Sequence, residues 1–283
     1  DKRITDDKEN RDKTVRIGTY NVGTFLEPGS IQSLQLQQEV KNFVCIGLSE
    51  LNRNWYKVSS HDSLRRRIDR WWRIQKTNFT WLRDYAWPLI HQFGGVSLTT
   101  TFGMSDFVQE KGEDESGLGR WVWQLLEGHS ETKTMIVQIY RPNKSQDADG
   151  SVYFQQQASG QVENPLETFD EDLIQLIDQH TKQGYQCIIM GDFNIPLNGK
   201  SNLERQLKER GIRDVVQERY GASNAPNTHK QGSHPIDGIF ASESIEMVKG
   251  GYDGGQDSIS NHRLIWADIT LDSILAADRG EIS

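Results

Sequence analysis

Residues 188–194 read Ile-Ile-Met-Gly-Asp-Phe-Asn, and this run decides the fold. Its apolar first half is typical of a buried β-strand, and its polar second half begins where that strand ends. Asp192 and Asn194 are two residues apart, so both side chains can point to the same side. A carboxylate there can orient or deprotonate a water, and an amide can donate to a phosphate oxygen. The alternative is a strand that ends in an Asx turn.

Similar apolar runs recur along most of the chain, separated by Gly and polar loops. They predict strands over 15–21, 44–49, 95–101, 121–126, 134–140, 186–190, 238–240 and 263–269. Runs of this kind, buried on one face, fit sheets that pack against each other. We therefore predict an α/β fold with two packed sheets and with helices outside them.

Three helices are predicted from spacing and capping signals. The first covers 167–182, the second begins at Ser201, where Ser201 and Glu204 have capping-box spacing, and the third covers about 62–76. Segments 109–119 and 147–160 are predicted to be loops. The predicted organisation is a charged tail over 1–13, one domain over 14–270, and a tail or linker stub over 271–283.

The composition limits the classes of protein to which the chain can belong. Its 283 residues are 35% hydrophobic and 25% charged, which predicts a folded soluble domain. No run approaches the roughly 18 apolar residues that span a membrane, and no secretory signal is visible. Cys45 and Cys187 lie in apolar runs, which predicts buried free thiols in a reducing compartment, with a disulfide as the alternative.

The charge is unevenly distributed along the chain. The net charge of −8 has the wrong sign for a generic nucleic-acid binder. Residues 61–76, here called the basic strip, nevertheless carry six Lys or Arg against two Asp. We interpret this strip either as a route for phosphate groups or as a solvated helix face.

Polar residues end five other predicted strands or stand next to them: Asn21, Glu50, Tyr140, Asp237 and His262. Each alone is also compatible with a simple strand cap or a surface position. Glu50 offers the hard oxygen ligand that suits Mg²⁺. If Asp237 reaches the ring of His262, its carboxylate fixes the tautomer of the ring and stabilises the imidazolium.

Taken in order, these pieces resemble the endonuclease/exonuclease/phosphatase superfamily, which includes DNase I and the AP endonucleases, over about residues 15–270. A closer likeness is to endonuclease domains of non-LTR retrotransposons. It rests on Gly-Leu-Ser-Glu-Leu-Asn at 47–52 followed by Trp55, Gly-Leu-Gly-Arg-Trp at 117–121, Tyr-Arg-Pro-Asn-Lys-Ser at 140–145 and Pro-Ile-Asp-Gly-Ile-Phe at 235–240. The resemblance implies a DNase I-like, four-layered α/β sandwich of two mixed sheets flanked by helices.

The resemblance also implies roles for individual residues. The metal site is assigned to Asn21 and Glu50, with Asn261 at the position of a further ligand. The catalytic set is assigned to Tyr140, Asp192, Asn194, Asp237 and His262, where Asp237 orients His262 and Tyr140 contacts the phosphate. Apart from the resemblance, we assign substrate contacts to residues of the basic strip and of loops beside the predicted site, with a purely structural role as the alternative: Asn52, Arg53, Arg66, Arg70, Arg141 and His229.

The function implied is a DNA endonuclease that hydrolyses the backbone by in-line attack of water, with Mg²⁺ neutralising the developing charge and Mn²⁺ able to substitute. It would leave 3′-hydroxyl and 5′-phosphate ends. The implied partners are the DNA backbone and a reverse transcriptase domain in the same polyprotein. We further expect a monomer without membrane contact, located inside the cell and in the nucleus if it serves a retroelement.

Two positions depart from the family pattern. Residues 260–262 read Ser-Asn-His where the family usually has Ser-Asp-His, and Gly23 stands where many members have Asp or Asn. Asn261 keeps the size of the Asp but loses its charge, so metal affinity should fall. The enzyme is then weakened but active, deliberately inactivated, or the inert domain of a decayed element. A phosphatase or lipid phosphodiesterase of the same fold and a non-catalytic DNA-binding domain are the rival functions.

Overall fold

The computed structural model describes residues 14–23, 31–83, 91–144, 151–221, 224–253 and 259–277. The predicted tail over 1–13 and residues 278–283 lie outside the described residues. Within the described ranges the chain forms two mixed six-stranded sheets with helices on their outer faces. This is the four-layered, DNase I-like α/β sandwich that the sequence predicts.

The first sheet is built from both ends of the chain. Its strands are β1 (Thr14–Asn21), β2 (Cys45–Ser49), β3 (Gln75–Thr80), β4 (Val96–Thr101), β11 (Met247–Asp253) and β12 (Leu264–Thr270). Their order across the sheet is β11-β12-β1-β2-β4-β3. β1 and β2 are parallel, whereas β12 runs antiparallel to β1.

The second sheet comes from the middle of the chain. Its strands are β5 (Val108–Glu113), β6 (Trp121–Glu127), β7 (Lys133–Tyr140), β8 (Gln186–Asp192), β9 (Ile212–Asp214) and β10 (Asp237–Ser242). Their order is β5-β6-β7-β8-β10-β9. β7 and β8 are parallel, and β10 runs antiparallel to β8.

Helices cover the outer faces of the sheets and one end of the sandwich. They are α1 (Ile31–Val40), α2 (Leu64–Asp69), α3 (Val152–Ala158), α4 (Pro165–Thr181), α5 (Asn202–Glu209), α6 (Val215–Tyr220) and α7 (Leu271–Leu275). The predicted capping box is confirmed, since the Ser201 hydroxyl accepts from the Glu204 N–H and the Glu204 carboxylate accepts from the Ser201 N–H. α4 begins at Pro165, close to the predicted start.

The core has three layers of apolar side chains. Ile17, Leu98 and Ile188 belong to the layer that includes the facing sides of the two sheets. Phe169 and Leu173 of α4 pack on the outer face of the second sheet. On the outer face of the first sheet the cluster includes side chains of α1 and α2, such as Leu36, Leu64 and Ile68.

The predicted helix over 62–76 is wrong beyond Asp69, where α2 ends. From Gln75 the chain forms β3, whose backbone pairs with β4. The predicted loop over 109–119 is wrong up to Glu113, because β5 pairs with β6 there. The predicted loop over 147–160 contains α3, which the Ser151 hydroxyl caps by accepting from the Phe154 N–H.

The predicted end of the domain at residue 270 comes too early. α7 follows β12 directly, and Leu271, Ile274 and Leu275 are buried in the layer between the sheets. The helix lies so close to the turn between β6 and β7 that a Cβ on Gly128 would overlap the Leu275 backbone. Apolar burial therefore makes 271–277 part of the domain.

Cys45 and Cys187 are both buried and both free, as the sequence predicts. Burial raises the pKa of each thiol, that of Cys187 to about 12, so neither is a reactive thiolate at neutral pH. No helix in the described part of the chain is both long and apolar enough to cross a membrane.

Candidate active site

The strand directions bring the polar strand ends to one edge of the sandwich. β1 and β2 run parallel and end side by side, with Asn21 opposite Ser49. In the second sheet, Asp192 at the end of β8 pairs with Asp237 at the start of β10. We call this edge, with Asn21, Glu50, Asp192, Asp237 and His262, the polar edge.

His262 is held by Asp237, as the sequence predicts. The ring Nδ1 lies 2.8 Å from Asp237 Oδ2, and the ring Nε2 lies 4.0 Å from Asp192 Oδ2. The residue is 8% exposed. Burial alone would lower the pKa of His262, but the charge and hydrogen bond of Asp237 and the charge of Asp192 outweigh it and raise the pKa to about 9. The ring is therefore an imidazolium at neutral pH.

Asp192 lies at the centre of the polar edge and is 1% exposed. Its Oδ2 accepts from the Asn21 amide at 2.8 Å, and its Oδ1 accepts from the Asn194 N–H at 2.9 Å. Burial, followed by the charge of Asp237, raises the pKa of Asp192 well above its usual range. A carboxyl group with a raised pKa is suited to proton transfer.

Glu50 faces Tyr140 across the two sheets. The Tyr140 hydroxyl donates to Glu50 Oε1 at 2.8 Å. Burial, followed by the charge of Glu50, raises the pKa of Tyr140, so its hydroxyl stays protonated and remains a donor. The other carboxylate oxygen of Glu50 takes no hydrogen bond from any residue that the structure describes.

The backbone at the polar edge adopts an unusual conformation. Glu50, Asn52 and Asn194 lie in the left-handed region, with φ of 53°, 48° and 49°. Asn tolerates this region, but Glu rarely adopts it, and such outliers concentrate at functional sites. Asn52 is held from both sides, since its amide donates to the Gly23 carbonyl and accepts from the Gly94 N–H.

The donor set of the polar edge fits a divalent cation. Glu50, Asp192 and Asp237 bring three carboxylates together, and the charges of Asp237 and Glu50 both act on Asp192. Asp192, Asp237 and His262 also have ligand atoms within 4.8 Å of one another. Asp237 and His262 already hold each other, and an imidazolium cannot ligate a metal. The oxygens of Glu50 and Asn21, beside Asp192, are therefore the better ligand set for a hard ion such as Mg²⁺.

Two residues assigned to substrate, Arg141 and Asn52, use their side chains on other groups of the protein. The Arg141 guanidinium is engaged by Asp170 through two hydrogen bonds of 2.7 and 3.0 Å, so it holds α4 rather than facing substrate. Asn52 uses its amide on backbone groups. Asn261 is exposed, and its carbonyl accepts from the Lys230 N–H.

Four of the five arginines of the basic strip are exposed and Arg67 is buried, while His229 is close to the polar edge. Arg66 lies on α2 and Arg70 caps its end, outside the first sheet, whereas Arg53 is half-buried in the loop after β2. His229 forms an isolated β-bridge with His262, and the two rings are 4.8 Å apart.

Two residues with positioning roles were not predicted. The Ser260 hydroxyl donates to the Asn21 carbonyl at 2.6 Å and accepts from the His262 N–H at 3.1 Å. The Thr228 hydroxyl accepts from the N–H groups of Ile236 and Asp237. Ser260 could have been inferred from its spacing of two residues before His262, but Thr228 is eight or nine residues from its partners.

Solved structures with the same fold are endonuclease/exonuclease/phosphatase proteins. The chain is similar to an AP endonuclease from Leishmania major, with 11% identity, a TM-score of 0.66 and coverage of 94% of this chain and 90% of that one. It is also similar to a 3′ phosphatase from Neisseria bound to product DNA hairpin, with 13% identity, a TM-score of 0.62 and coverage of 90% and 99%.

A third similar structure is an endonuclease/exonuclease/phosphatase protein from Beutenbergia cavernae, with 14% identity, a TM-score of 0.62 and coverage of 91% of this chain and 72% of that one. Neither a family model nor a curated protein matches the chain. At these identities the likeness concerns the fold, so the function has to be argued from the polar edge.

Proposed function

We propose that this chain is a divalent-metal-dependent phosphodiester hydrolase that cleaves DNA as an endonuclease. The observation that carries the proposal is the Asp237–His262–Asp192 arrangement, with 2.8 Å and 4.0 Å between its partners, beside the Glu50–Tyr140 pair. An AP endonuclease and a DNA-bound 3′ phosphatase share the fold, which supports DNA as the substrate class.

The residues of the polar edge supply the parts that phosphodiester hydrolysis requires. The His262 imidazolium, held by Asp237, donates through Nε2 to an oxygen of the scissile phosphate and offsets its developing charge. Asp192 orients the attacking water and receives its proton, because burial and the charge of Asp237 raise the pKa of this carboxyl. Tyr140 keeps the Glu50 carboxylate in place by donating to it.

The metal would be held by Glu50 and Asn21, beside Asp192. When bound, it supplies positive charge that stabilises the phosphate oxygens during cleavage. Asn261 stands where the family usually has an Asp, so the chain lacks one carboxylate. This predicts weaker metal binding than in members that have the Asp. We propose that this lowers the activity without abolishing it.

At a finer level we propose a retroelement endonuclease, on the basis of the motifs at 47–52 and 235–240. It would act in the nucleus as a monomer, beside a reverse transcriptase domain, and leave 3′-hydroxyl and 5′-phosphate ends. DNA ligase seals only nicks with such ends. Resealing of the nicked product by ligase would support this proposal, and a nick that ligase cannot seal would contradict it.

The experiment that tests the endonuclease is nicking of supercoiled plasmid in Mg²⁺ or Mn²⁺ buffer. The wild type should nick the plasmid, and a chelator should stop the nicking. His262→Ala should lose the nicking activity, and Asn261→Asp should nick faster than the wild type. His129→Ala, at the turn between β6 and β7 at the other end of the strands, is the matched control. Absence of nicking by both the wild type and Asn261→Asp would refute the endonuclease.

The second candidate function is a DNA 3′ phosphatase. It is favoured by the fold that the chain shares with the Neisseria protein. Release of phosphate from a 3′-phosphorylated oligonucleotide, without plasmid nicking, would select it. Salt-dependent DNA binding with neither activity, even in Asn261→Asp, would instead select a non-catalytic binding domain.

A further inference from the structure

The basic strip leads away from the polar edge. α2 carries it along the outer face of the first sheet, and the strip ends at β3, whose first residue Gln75 pairs with Thr101 at the end of β4. On the other side of β4, Thr100 pairs with Cys45, the first residue of β2, whereas the polar edge lies beyond Ser49. Five strand residues of about 3.3 Å each place the end of the strip about 16 Å from the polar edge.

A cleft of about 290 Å³ opens at this far end, and we call it the distal cleft. It is lined by Gln37, Lys41, Trp71, Trp72, Arg73, Ile74 and Phe102. Three of these residues are aromatic and two are cationic, and none is acidic, although the chain as a whole carries a net charge of −8. The lining therefore favours an anionic ligand that also has flat apolar faces.

Two apolar side chains at the distal cleft are kept in solvent. Ile74 is 62% exposed and Phe102 is 41% exposed. The two residues are tied together, because the Phe102 N–H donates to the Ile74 carbonyl. Phe102 has a left-handed φ of 54°, which an aromatic residue rarely adopts. An exposed aromatic side chain on a residue with a strained backbone is typical of binding sites.

We propose that the distal cleft binds single-stranded nucleic acid. A base stacks on the exposed ring of Phe102 beside the half-buried Trp71, and the adjacent phosphates pair with Lys41 and Arg73. Aromatic platforms combined with cations are the usual means of binding unpaired strands without sequence preference. The exposed arginines of α2 and its end, Arg66 and Arg70, extend the positive surface along the strand backbone.

An acidic peptide is the other anion that the cations would accept. Its carboxylates would pair with Lys41 and Arg73, but they would leave the aromatic rings uncovered. Duplex DNA cannot supply the stacking partner either, because its bases are already stacked on each other. Unpaired bases next to phosphates match both components of the lining, so a single strand is the ligand that we infer. The inference does not depend on whether the polar edge cleaves DNA.

The test is the binding of a fluorescent eight-nucleotide oligothymidylate, measured by anisotropy in chelator so that no cleavage occurs. Phe102→Gly removes the stacking ring and should weaken binding about tenfold. Glycine adopts the left-handed φ freely, so the variant should keep the thermal midpoint of the wild type or exceed it. Arg73→Glu should also weaken binding about tenfold, and Arg73→Gln should reduce the salt slope by about 0.7.

Lys208→Glu on α5, outside the second sheet, is the control with the same change in charge and should bind like the wild type. A strand with 5-iodouracil, cross-linked by light, should mark peptides that contain Trp71 or Phe102. Wild-type affinity in both Phe102→Gly and Arg73→Glu, or cross-links at the polar edge alone, would overturn the proposal. So would binding of a polyglutamate peptide that is sensitive to Arg73→Glu without any binding of the oligonucleotide.

Discussion

Asp237 determines the charge of His262. Its charge and its hydrogen bond are the largest influences that raise the pKa of the ring, so Asp237→Asn should lower the pKa of His262 from about 9 by about one unit or more. NMR titration of the ring in metal-free buffer measures this directly. Asp268→Asn, which removes the partner of Arg16, is the control variant and should leave the titration of His262 unchanged. An unchanged titration in Asp237→Asn would contradict the assigned pairing.

The same pair makes stability depend on pH. The pKa of His262 in the folded protein, about 9, exceeds the ordinary value of 6.5, so the stabilisation is complete below pH 6.5 and is lost as the pH rises to 9. This difference between the two pKa values corresponds to about 3 kcal/mol in the free energy of unfolding. Urea denaturation of the wild type should show that the free energy of unfolding declines over this range. The decline should be smaller in Asp237→Asn.

Tyr140 positions Glu50 by donating one hydrogen bond to it. Tyr140→Phe keeps the packing of the ring but releases the carboxylate, so cleavage should fall about 10–100-fold while stability changes by about 1 kcal/mol. Nicking rates and urea midpoints together separate the two effects. Tyr56→Phe, at a tyrosine that is 69% exposed, should change neither. Equal nicking by Tyr140→Phe and the wild type would exclude a role for the hydroxyl.

At the scale of elements, Asp214 caps α6 at the cost of a buried charge. Its Oδ1 accepts from the N–H groups of Val216 and Gln217, but its Oδ2 is buried and has no hydrogen-bond partner among the described residues. Burial raises the pKa of Asp214 from 3.8 to about 7. Because the folded state disfavours the ionised form, this group destabilises the fold increasingly as the pH rises from 3.8 to 7.

Asp214→Asn should therefore stabilise the protein in alkaline buffer. The amide oxygen of Asn still caps the helix, and the buried charge is gone. The difference in the free energy of unfolding between Asp214→Asn and the wild type should grow by about 2–3 kcal/mol between pH 5 and pH 8. Urea denaturation at the two pH values measures it. A gain that is equal at both values would show that the carboxyl does not titrate in this range.

α7 belongs to the core, since Leu275 is buried between the sheets. Leu275→Ala should lower the free energy of unfolding by about 2–5 kcal/mol, because a buried cavity replaces the side chain. Asp272→Ala alters an exposed residue of the same helix and should cost about 0.5 kcal/mol or less. Equal urea midpoints for the two variants would mean that the helix adds little to the core.

The strands that the sequence analysis missed are β3, β5, β9 and β11, and each is the edge strand of its sheet. Edge strands bury fewer side chains and often carry charges that discourage association, so Val-Gln-Glu-Lys-Gly-Glu of β5 lacks an apolar signal. The inner strands bury most of their residues and were predicted within one to two residues. α7 was missed because five residues are too few to show a helical period.

The polar edge could be predicted in part for a related reason. Asn21, Asp192 and Asp237 lie in strands, and Glu50 and His262 lie one or two residues from a strand, so their order along the chain and the fold together fix their positions. Arg66 is exposed on the surface, whereas Arg141 is buried and its contact depends on the helix that packs over it. Arg141 forms an ion pair with Asp170 on α4, about 30 residues away in the sequence, and no spacing in the sequence indicates that pairing.

At the scale of the whole molecule, the sandwich separates two kinds of surface. Three carboxylates converge at the polar edge around His262, while Lys41 and Arg73 line the distal cleft about 16 Å away. Exposed charges are screened over about 8 Å in physiological salt. The acidic total of −8 therefore does not prevent a local positive surface from binding phosphates.

Metal binding should stabilise the whole fold, because the carboxylates of the polar edge come together only in the folded state. If the dissociation constant for Mg²⁺ is about 1 mM, 10 mM ion adds about 1.4 kcal/mol, which raises the thermal midpoint by about 3–5 °C. Asn261→Asp should increase this shift, since it adds a carboxylate. Glu50→Gln should abolish it while keeping an acceptor for the Tyr140 hydroxyl, and Glu209→Gln, at the exposed end of α5, is the matched control. An equal shift in Glu50→Gln and the wild type would place the ion away from the polar edge, whatever the nuclease assays show.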